Sequence, residues 1–366
     1  MNHLEPYPLH GGQPRQISES FGIPISELLD FSVNINPSGP PPSVLSTLRA
    51  CLDDLTTLTE YPDLQQAELK QSLACYTGTR ETNVVVANGF VPLLEATLRA
   101  IKIRSCLLPV PAFVQYRRTL ERAGVGIVPY TLNPNSSFSY DPTSMLTGQE
   151  EAVLLANPQN PSGVGHAPAR LCNLVAKAWQ RNIYVLLDEA FIDYIPEDSL
   201  ATMIDRFPNL IIFRSVTKFH GIPGLRVAYA IANPSLSTAI NDQLAPWPIT
   251  TLASRAVIAA VGDQAYSTRS RSENLTRRST LQSDLELSGL TVYPSAANFI
   301  LFQLPSLVDP DKFWKHMIVR HRIVLRSCAN YEALEAGHFR AAIRAESEND
   351  KLATAVAKAL LELNQD

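Results

Sequence analysis

Seven short apolar, β-rich runs alternate with helical stretches between about residue 83 and residue 232, and few architectures accept such a pattern. The runs are Asn83 to Ala87, Ser105 to Pro109, Gly126 to Tyr130, Ala152 to Ala156, Ile183 to Leu187, Leu210 to Phe213 and Val227 to Ile231. They lack the in-out alternation of a half-solvated strand, as expected when helices cover both faces of a mainly parallel sheet. Between them, Pro92 to Ile101 and Ala169 to Gln180 space their apolar residues helically. The reading is a large α/β unit with a mainly parallel mixed sheet.

From about Thr251 the texture changes. A long polar helical region runs towards Leu287 with a break near Gly262. Short strands are expected around Thr291 to Tyr293, Phe299 to Leu304, Ile323 to Leu325 and Phe339 to Ile343, then a closing helix from Ser347 to Leu363. This describes a smaller α+β unit. The segment up to Pro37 is punctuated by Pro and Gly and is too short to fold alone. The expected division is therefore an arm over 1–37, a large domain over 38–250 and a small domain over 251–366. The arm should pack on the small domain or reach a second subunit. A chain of 366 residues has interior enough for both domains.

Composition excludes several classes. A net charge of -4 with interspersed signs offers no basic stripe for nucleic acid. No apolar run approaches the ~20 residues of a membrane helix, and Met1 to Gly12 lacks the pattern of a signal peptide. The five cysteines are scattered without a C-x-x-C pair. That usage suits reduced thiols in a cytoplasm and neither a disulfide frame nor a zinc site.

Ligands of parallel α/β sheets sit at the carboxyl ends of strands, and five segments fall there. Asp188 follows the apolar run Ile183 to Leu187, where a carboxylate is costly without a partner. A protonated pyridine nitrogen would be such a partner, although strand-end aspartates are also caps or metal ligands. Lys218 sits in Arg214-Ser215-Val216-Thr217-Lys218, with Arg226 eight residues later. A lysine there can form a Schiff base, while Ser215, Thr217 and Arg226 can hold phosphate oxygens. An isolated lysine in a Gly/Pro loop is usually a surface residue; the flanking hydroxyls and arginine reverse that reading.

The remaining three segments are weaker singly. Asn157-Pro158-Gln159-Asn160-Pro161-Ser162-Gly163 reads as a turn, and its Asn160 amide can donate to a phenolic oxygen. Gly89 and Phe90 join a strand to a helix, where glycine permits close approach and the first helical N–H groups bind phosphate. Phe113 can stack on a flat ring, though a core aromatic is the default reading.

Together these segments resemble the fold-type I pyridoxal-phosphate enzymes, in the order and spacing of the aspartate aminotransferase superfamily. The resemblance covers nearly the whole chain and rests on Asn160-Pro161-Ser162-Gly163, Asp188-Glu189-Ala190 and Ser215-x-Thr217-Lys218 with Arg226. It implies pyridoxal 5'-phosphate as cofactor, Lys218 as the Schiff-base lysine and Asp188 at the pyridine nitrogen. It further implies Asn160 at the phenolic oxygen, Phe113 stacked on the ring, and Gly89, Phe90, Ser215, Thr217 and Arg226 at the phosphate. Tyr61, in Glu60-Tyr61-Pro62-Asp63, resembles the tyrosine that reaches the phosphate from a partner subunit, which implies a homodimer with shared sites.

Two branches of the superfamily are similar to this chain: the histidinol-phosphate aminotransferases and, more closely, the L-threonine-O-3-phosphate decarboxylases of cobalamin synthesis. The latter likeness lies in His10-Gly11-Gly12, Asp30-Phe31-Ser32-Val33-Asn34, the Phe191 position, Pro246-Trp247 and Arg326-Ser327-Cys328-Ala329-Asn330-Tyr331. It implies a phosphorylated amino-acid substrate held by His10, Asn34, Arg326 and Arg340, the last binding its carboxylate. In such enzymes the bond that breaks is the one held in line with the ring's π system, so positioning selects the reaction. Two segments depart from the pattern. Gly89-Phe90-Val91-Pro92 is apolar where relatives carry acidic or hydroxylated residues, and His220-Gly221 replaces an aromatic-small pair. A catalytically silent cofactor-binding regulator is the reading from another class. The intact Lys218 and Asp188 and the short segment before the large domain argue against it.

Overall fold

The computed structural model describes residues 7–363. Its largest sheet has seven strands, in spatial order Val84–Ala87, Ala228–Ile231, Leu210–Ser215, Tyr184–Asp188, Ala152–Ala156, Ser105–Val110 and Gly126–Thr131. Only Ala228–Ile231 runs against its neighbours; the remaining pairings are parallel. The absence of alternation in the sequence has a direct cause here. Val153, Val185, Leu187 and Ile212 enter one apolar core, whereas Leu154, Leu186, Ile211 and Phe213 enter another on the opposite face. Each such fully buried side chain contributes on the order of 1.5–3 kcal/mol relative to exposure. Ala156 is paired with Asp188 and Asp188 with Phe213, so the carboxyl ends of the central strands are level.

A second, antiparallel sheet orders Arg326–Ser327, His338–Ala342, Phe299–Gln303 and Thr291–Val292. Helices Gln264–Leu287, Pro310–His321 and Glu346–Leu363 pack around it over a core that includes Phe302, Phe313, Trp314, Phe339 and Leu352. Ile17, Ile23 and Phe31 join that core. The short strand Leu29–Asp30 pairs in parallel with Ile323–Val324, tying the N-terminal segment to this sheet.

One helix boundary differs from the periodicity reading, and the expected break near Gly262 is present, each for a physical reason. The helix expected from Pro92 begins at Phe90, because proline in a first helical turn loses no intrahelical hydrogen bond. The break near Gly262 separates Thr251–Gly262 from Gln264–Leu287; Asp263 caps the second helix by accepting from the Tyr266 N–H. Among the described residues, no helix is long and apolar enough to cross a membrane.

Candidate active site

Asp188 ends the Tyr184–Asp188 strand with its side chain buried at the cavity floor. Its Oδ2 accepts from the Tyr116 hydroxyl at 2.5 Å and its Oδ1 from the Ala190 N–H at 2.9 Å. Burial pushes this carboxyl up to about 6, against the Tyr116 and Ala190 hydrogen bonds and the nearby Lys218, while Glu189 adds to the rise. Glu189 points to the other side of the strand end and pairs with buried Arg214 at 3.0 Å. One strand terminus thus offers its first carboxylate to the cavity and satisfies its second internally.

Lys218 follows the neighbouring strand, Leu210–Ser215. Its Nζ donates to Thr217 Oγ1 at 3.3 Å, and that hydroxyl lies 2.7 Å from Ser215 Oγ. Burial pulls the Lys218 amine down to about 8, helped by Arg226 and Arg340 and opposed by Asp188. Gly89 adopts a φ of 98° at the start of the Phe90–Ile101 helix. A Cβ there would lie 3.3 Å from Arg226 Nη2, so glycine leaves the guanidinium its place. Arg226 itself is left-handed, at φ 56°.

The opposite wall comes from the second sheet and the N-terminal segment. Arg340 Nη1 donates to Asn160 Oδ1 at 2.6 Å, and Nη2 donates to the Ser32 carbonyl at 3.2 Å. With its amide oxygen turned towards the guanidinium, Asn34 accepts from Nη1 and Nε at 3.2 and 3.3 Å. The guanidinium also lies 5.1 Å from the centre of the Phe299 ring. Arg326 is committed to the arm. It donates to the carbonyls of Pro8 at 3.1 Å and Leu9 at 2.8 Å, to the Ser327 carbonyl at 2.6 Å, and to Asn330 Oδ1 at 2.8 Å. His10 Nε2 lies 2.9 Å from the Gln115 amide nitrogen. Burial lowers the His10 imidazole, and Arg326 and Arg118 lower it further.

These groups line two adjoining cavities. The inner, of about 280 Å³, is lined by His10, Asn34, Phe90, Phe113, Asn160, Asp188, Ser215, Lys218, Arg326 and Arg340, among others. The outer, of about 580 Å³, is lined by Gly89, Phe90, Phe113, Ser215, Thr217, Lys218 and Arg226 and again by His10. The structure therefore gathers every candidate residue except Tyr61. That tyrosine is 81% exposed and lies against Trp247, with ring centres 4.7 Å apart.

Sequence reasoning did not single out Tyr116, Gln115, Arg214 or Tyr331. Tyr116 bonds Asp188, Gln115 meets His10, and Tyr331 lies beneath Arg326 at 5.3 Å. One signal was available for Tyr116. It follows Phe113 by three residues, and such spacing puts two side chains on one side of a helical turn.

A flat, anionic cofactor with a ring nitrogen at one end suits this arrangement. The buried Asp188 carboxylate and the Lys218 amine face the same inner cavity without an ion pair between them among the described residues. Hydroxyls, a helix start and Arg226 surround the outer one. No group of three or more His, Cys, Asp or Glu side chains among the described residues is placed to hold a metal ion.

The sequence model of aminotransferase class I and II matches residues 26–358. The chain belongs to that family. Among relatives of this class I and II enzyme, a threonine-phosphate decarboxylase of Salmonella typhimurium is 32% identical over 359 residues, covering 96% of both chains. The crystal structure of a histidinol-phosphate aminotransferase from Clostridium acetobutylicum is similar with a TM-score of 0.85 and 27% identity, covering 92% of this chain and all of that one. A histidinol-phosphate aminotransferase from Sinorhizobium meliloti, solved with pyridoxal-5'-phosphate, has the same fold, with a TM-score of 0.83, 24% identity and coverage of 96% and 95%. This chain is thus a pyridoxal-phosphate-dependent enzyme of the decarboxylase and aminotransferase kind.

Proposed function

We propose that this enzyme removes carbon dioxide from L-threonine O-3-phosphate and releases (R)-1-amino-2-propanol O-2-phosphate for cobalamin synthesis. The observation that carries the reading is the wall opposite Lys218. There His10 and Arg326 line one cavity with the Arg340 fork, which would set further anion-binding donors next to a carboxylate site once the arm frees Arg326. The Salmonella decarboxylase, similar over nearly the full length, supports the same reading.

Bound pyridoxal phosphate supplies an electron sink at the pyridine ring. Asp188 would hold the ring nitrogen, Asn160 the phenolic oxygen and Phe113 the ring face. Ser215, Thr217, Arg226 and the backbone at Gly89 and Phe90 would hold the phosphate. The chain's part in choosing the reaction is orientation. Arg340, fixed by Asn34 and Asn160, receives the substrate carboxylate. His10, and Arg326 once the arm frees it, would take the substrate phosphate and so set the direction in which the carboxylate is held. In that orientation the substrate would lose carbon dioxide, with the bound cofactor as electron sink, and the Lys218 amine, once protonated, would stand ready to return a proton to Cα.

The rival reading is transamination of a histidinol-phosphate-like amine, which the Clostridium structure favours. Phe191 argues for decarboxylation. It lines the inner cavity and packs edge-on against Phe299 at 5.0 Å, and a phenyl group has no hydroxyl to offer the phenolic oxygen. Incubation of the cofactor-loaded enzyme with L-threonine O-3-phosphate, with and without 2-oxoglutarate, separates the readings by mass spectrometry. A product lighter by carbon dioxide, formed without keto acid, supports the decarboxylase. Turnover that requires the keto acid overturns it.

The same reading includes a homodimer. Tyr61 is exposed, as are Leu52, Leu55, Leu58 and Leu64 in the same stretch of sequence, apolar side chains suited to covering by a second copy whose phosphate site Tyr61 would complete. Light scattering of the wild type and of Leu55→Glu/Leu58→Glu tests this: a monomeric wild type would remove the dimer.

A further inference from the structure

Tyr116 stands where three of the cofactor-facing side chains meet. Its hydroxyl donates to Asp188 Oδ2 at 2.5 Å. Its ring meets Phe113 edge-on, at 5.6 Å and 90°, and lies 5.6 Å from Phe90 at 57°. The residue is 2% exposed, so neither contact is shared with solvent. The Tyr116 N–H donates to the Phe113 carbonyl at 2.9 Å, which locks the two residues into one turn at the start of the Val114–Arg122 helix.

We infer that Tyr116 is a positioning residue for the cofactor: its hydroxyl fixes the Asp188 carboxylate, ionised and correctly turned, to receive the pyridine nitrogen, while its ring sets the pitch of Phe113. The inference rests on the reading that Asp188 meets that nitrogen. An ionised carboxylate only accepts hydrogen bonds, so a neutral hydroxyl donor stabilises it without adding a competing cation. A lysine or arginine in this place would neutralise Asp188 and draw it from the ring. The other groups around Asp188 are the Ala190 N–H and Lys218, which favour the anion, and Glu189, which opposes it. Burial is the largest influence and disfavours the anion. Without the hydroxyl, the anion would keep the Ala190 bond alone. A larger fraction of Asp188 would then carry its own proton and compete with the ring nitrogen for it.

The test compares wild type, Tyr116→Phe, Asp188→Asn and the double variant as cofactor-free proteins. Pyridoxal phosphate affinity is followed by fluorescence between pH 5 and pH 8, and ring protonation by nitrogen-15 NMR of labelled cofactor. Loss of one hydrogen bond to a charged group should weaken cofactor binding by about tenfold near pH 7. The loss should deepen as the pH falls, and the nitrogen signal should move towards the neutral ring. Adding Tyr116→Phe to Asp188→Asn should change neither readout further. Unchanged affinity and nitrogen signal in Tyr116→Phe, with Asp188→Asn impaired, overturn the Tyr116 role alone. An unimpaired Asp188→Asn overturns the Asp188 reading and this inference with it. If Tyr116→Phe fails to fold, site-specific fluorotyrosine at 116, a stronger donor, replaces it. Tighter binding supports the inference, and unchanged or weaker binding sinks it.

Discussion

Arg340 and Asn160, 180 positions apart, are joined by a hydrogen bond of 2.6 Å from Nη1 to Oδ1. Asn160 follows a strand of the seven-stranded sheet and Arg340 lies in the antiparallel one, so the bond crosses the cavity between them. It also decides which end of the Asn160 amide is spent. The oxygen accepts from Arg340, and the two N–H donors remain for a ligand.

This geometry makes Arg340→Lys a severe change. An ammonium has no planar fork, so it cannot serve Asn34, Asn160 and a substrate carboxylate together. Substrate affinity should fall at least ~10-fold and stability by about 1–3 kcal/mol, because partners are left unpaired in a buried place. Spectral titration with substrate and urea unfolding measure the two. An Arg340→Lys enzyme with wild-type substrate affinity would remove Arg340 from the carboxylate site.

The arm supplies a second prediction. Gly12 N–H donates to Ser32 Oγ at 2.9 Å, and a Cβ on Gly11 would fall 2.1 Å from the Ser32 carbonyl oxygen. Gly11→Ala must therefore lift the arm, and with it the Pro8 and Leu9 carbonyls from Arg326. Since His10 lies on the arm and the residues around Lys218 do not, substrate KM should rise by roughly tenfold or more while cofactor affinity stays unchanged. Faster cleavage near residues 8–12 in limited proteolysis would report the release directly. If KM and proteolysis both match wild type, the arm does not form the substrate wall.

How much of this was legible in the sequence follows from which interactions leave a side-chain signature. Six of the seven strands were readable because burial on both faces demands unbroken apolar runs, as Leu154 and Leu155 facing opposite cores illustrate, whereas the edge strand Gly126–Thr131 is exposed or half-buried throughout. Asp188 and Lys218 were readable because a charge ending such a run needs a reason. Tyr116 was not, since a buried aromatic is ordinary core until its hydroxyl partner is known. The anchorage of the arm was hidden as well. Arg326 holds backbone carbonyls, which every residue has, and the Leu29–Asp30 pairing with Ile323–Val324 involves two residues per strand. Tyr61 was placed at a phosphate site by resemblance, and within one chain it faces outward.

Lys218 carries a prediction about pH. Its amine is pulled down to about 8, so the neutral, nucleophilic form prevails above that pH instead of above the ordinary lysine range near ~10.4. Covalent capture of pyridoxal phosphate by the cofactor-free protein should accelerate as pH rises to about 8 and then level off. Borohydride trapping followed by peptide mass mapping measures the rate and the site. Lys218→Ala should yield no trapped peptide; a trapped peptide elsewhere would show that another lysine carries the cofactor.

Arg214 lies in the strand Leu210–Ser215 that leads into Thr217 and Lys218, and its guanidinium is buried between Glu189 at 3.0 Å and Asp193 at 3.1 Å. Tyr76 donates to Asp193 at 3.0 Å and Ser199 to Glu189 at 2.7 Å, so the carboxylates are satisfied only as a set. Arg214→Met removes their common cation and should cost about 3–5 kcal/mol, because a broken buried pair leaves charge without compensation. The sign of the pH dependence follows from linkage. Burial already raises the Glu189 carboxyl while Arg214 opposes the rise. Without Arg214 the folded protein holds protons that the unfolded chain releases, so stability falls as the pH rises above the unfolded carboxylate range. The deficit of Arg214→Met against wild type, from urea midpoints, should thus be smaller near pH 5 than near pH 8. Adding Glu189→Gln and Asp193→Asn should recover most of it at pH 8. A deficit independent of pH, and untouched by those two changes, would mean that Arg214 matters for its packing and not for its charge.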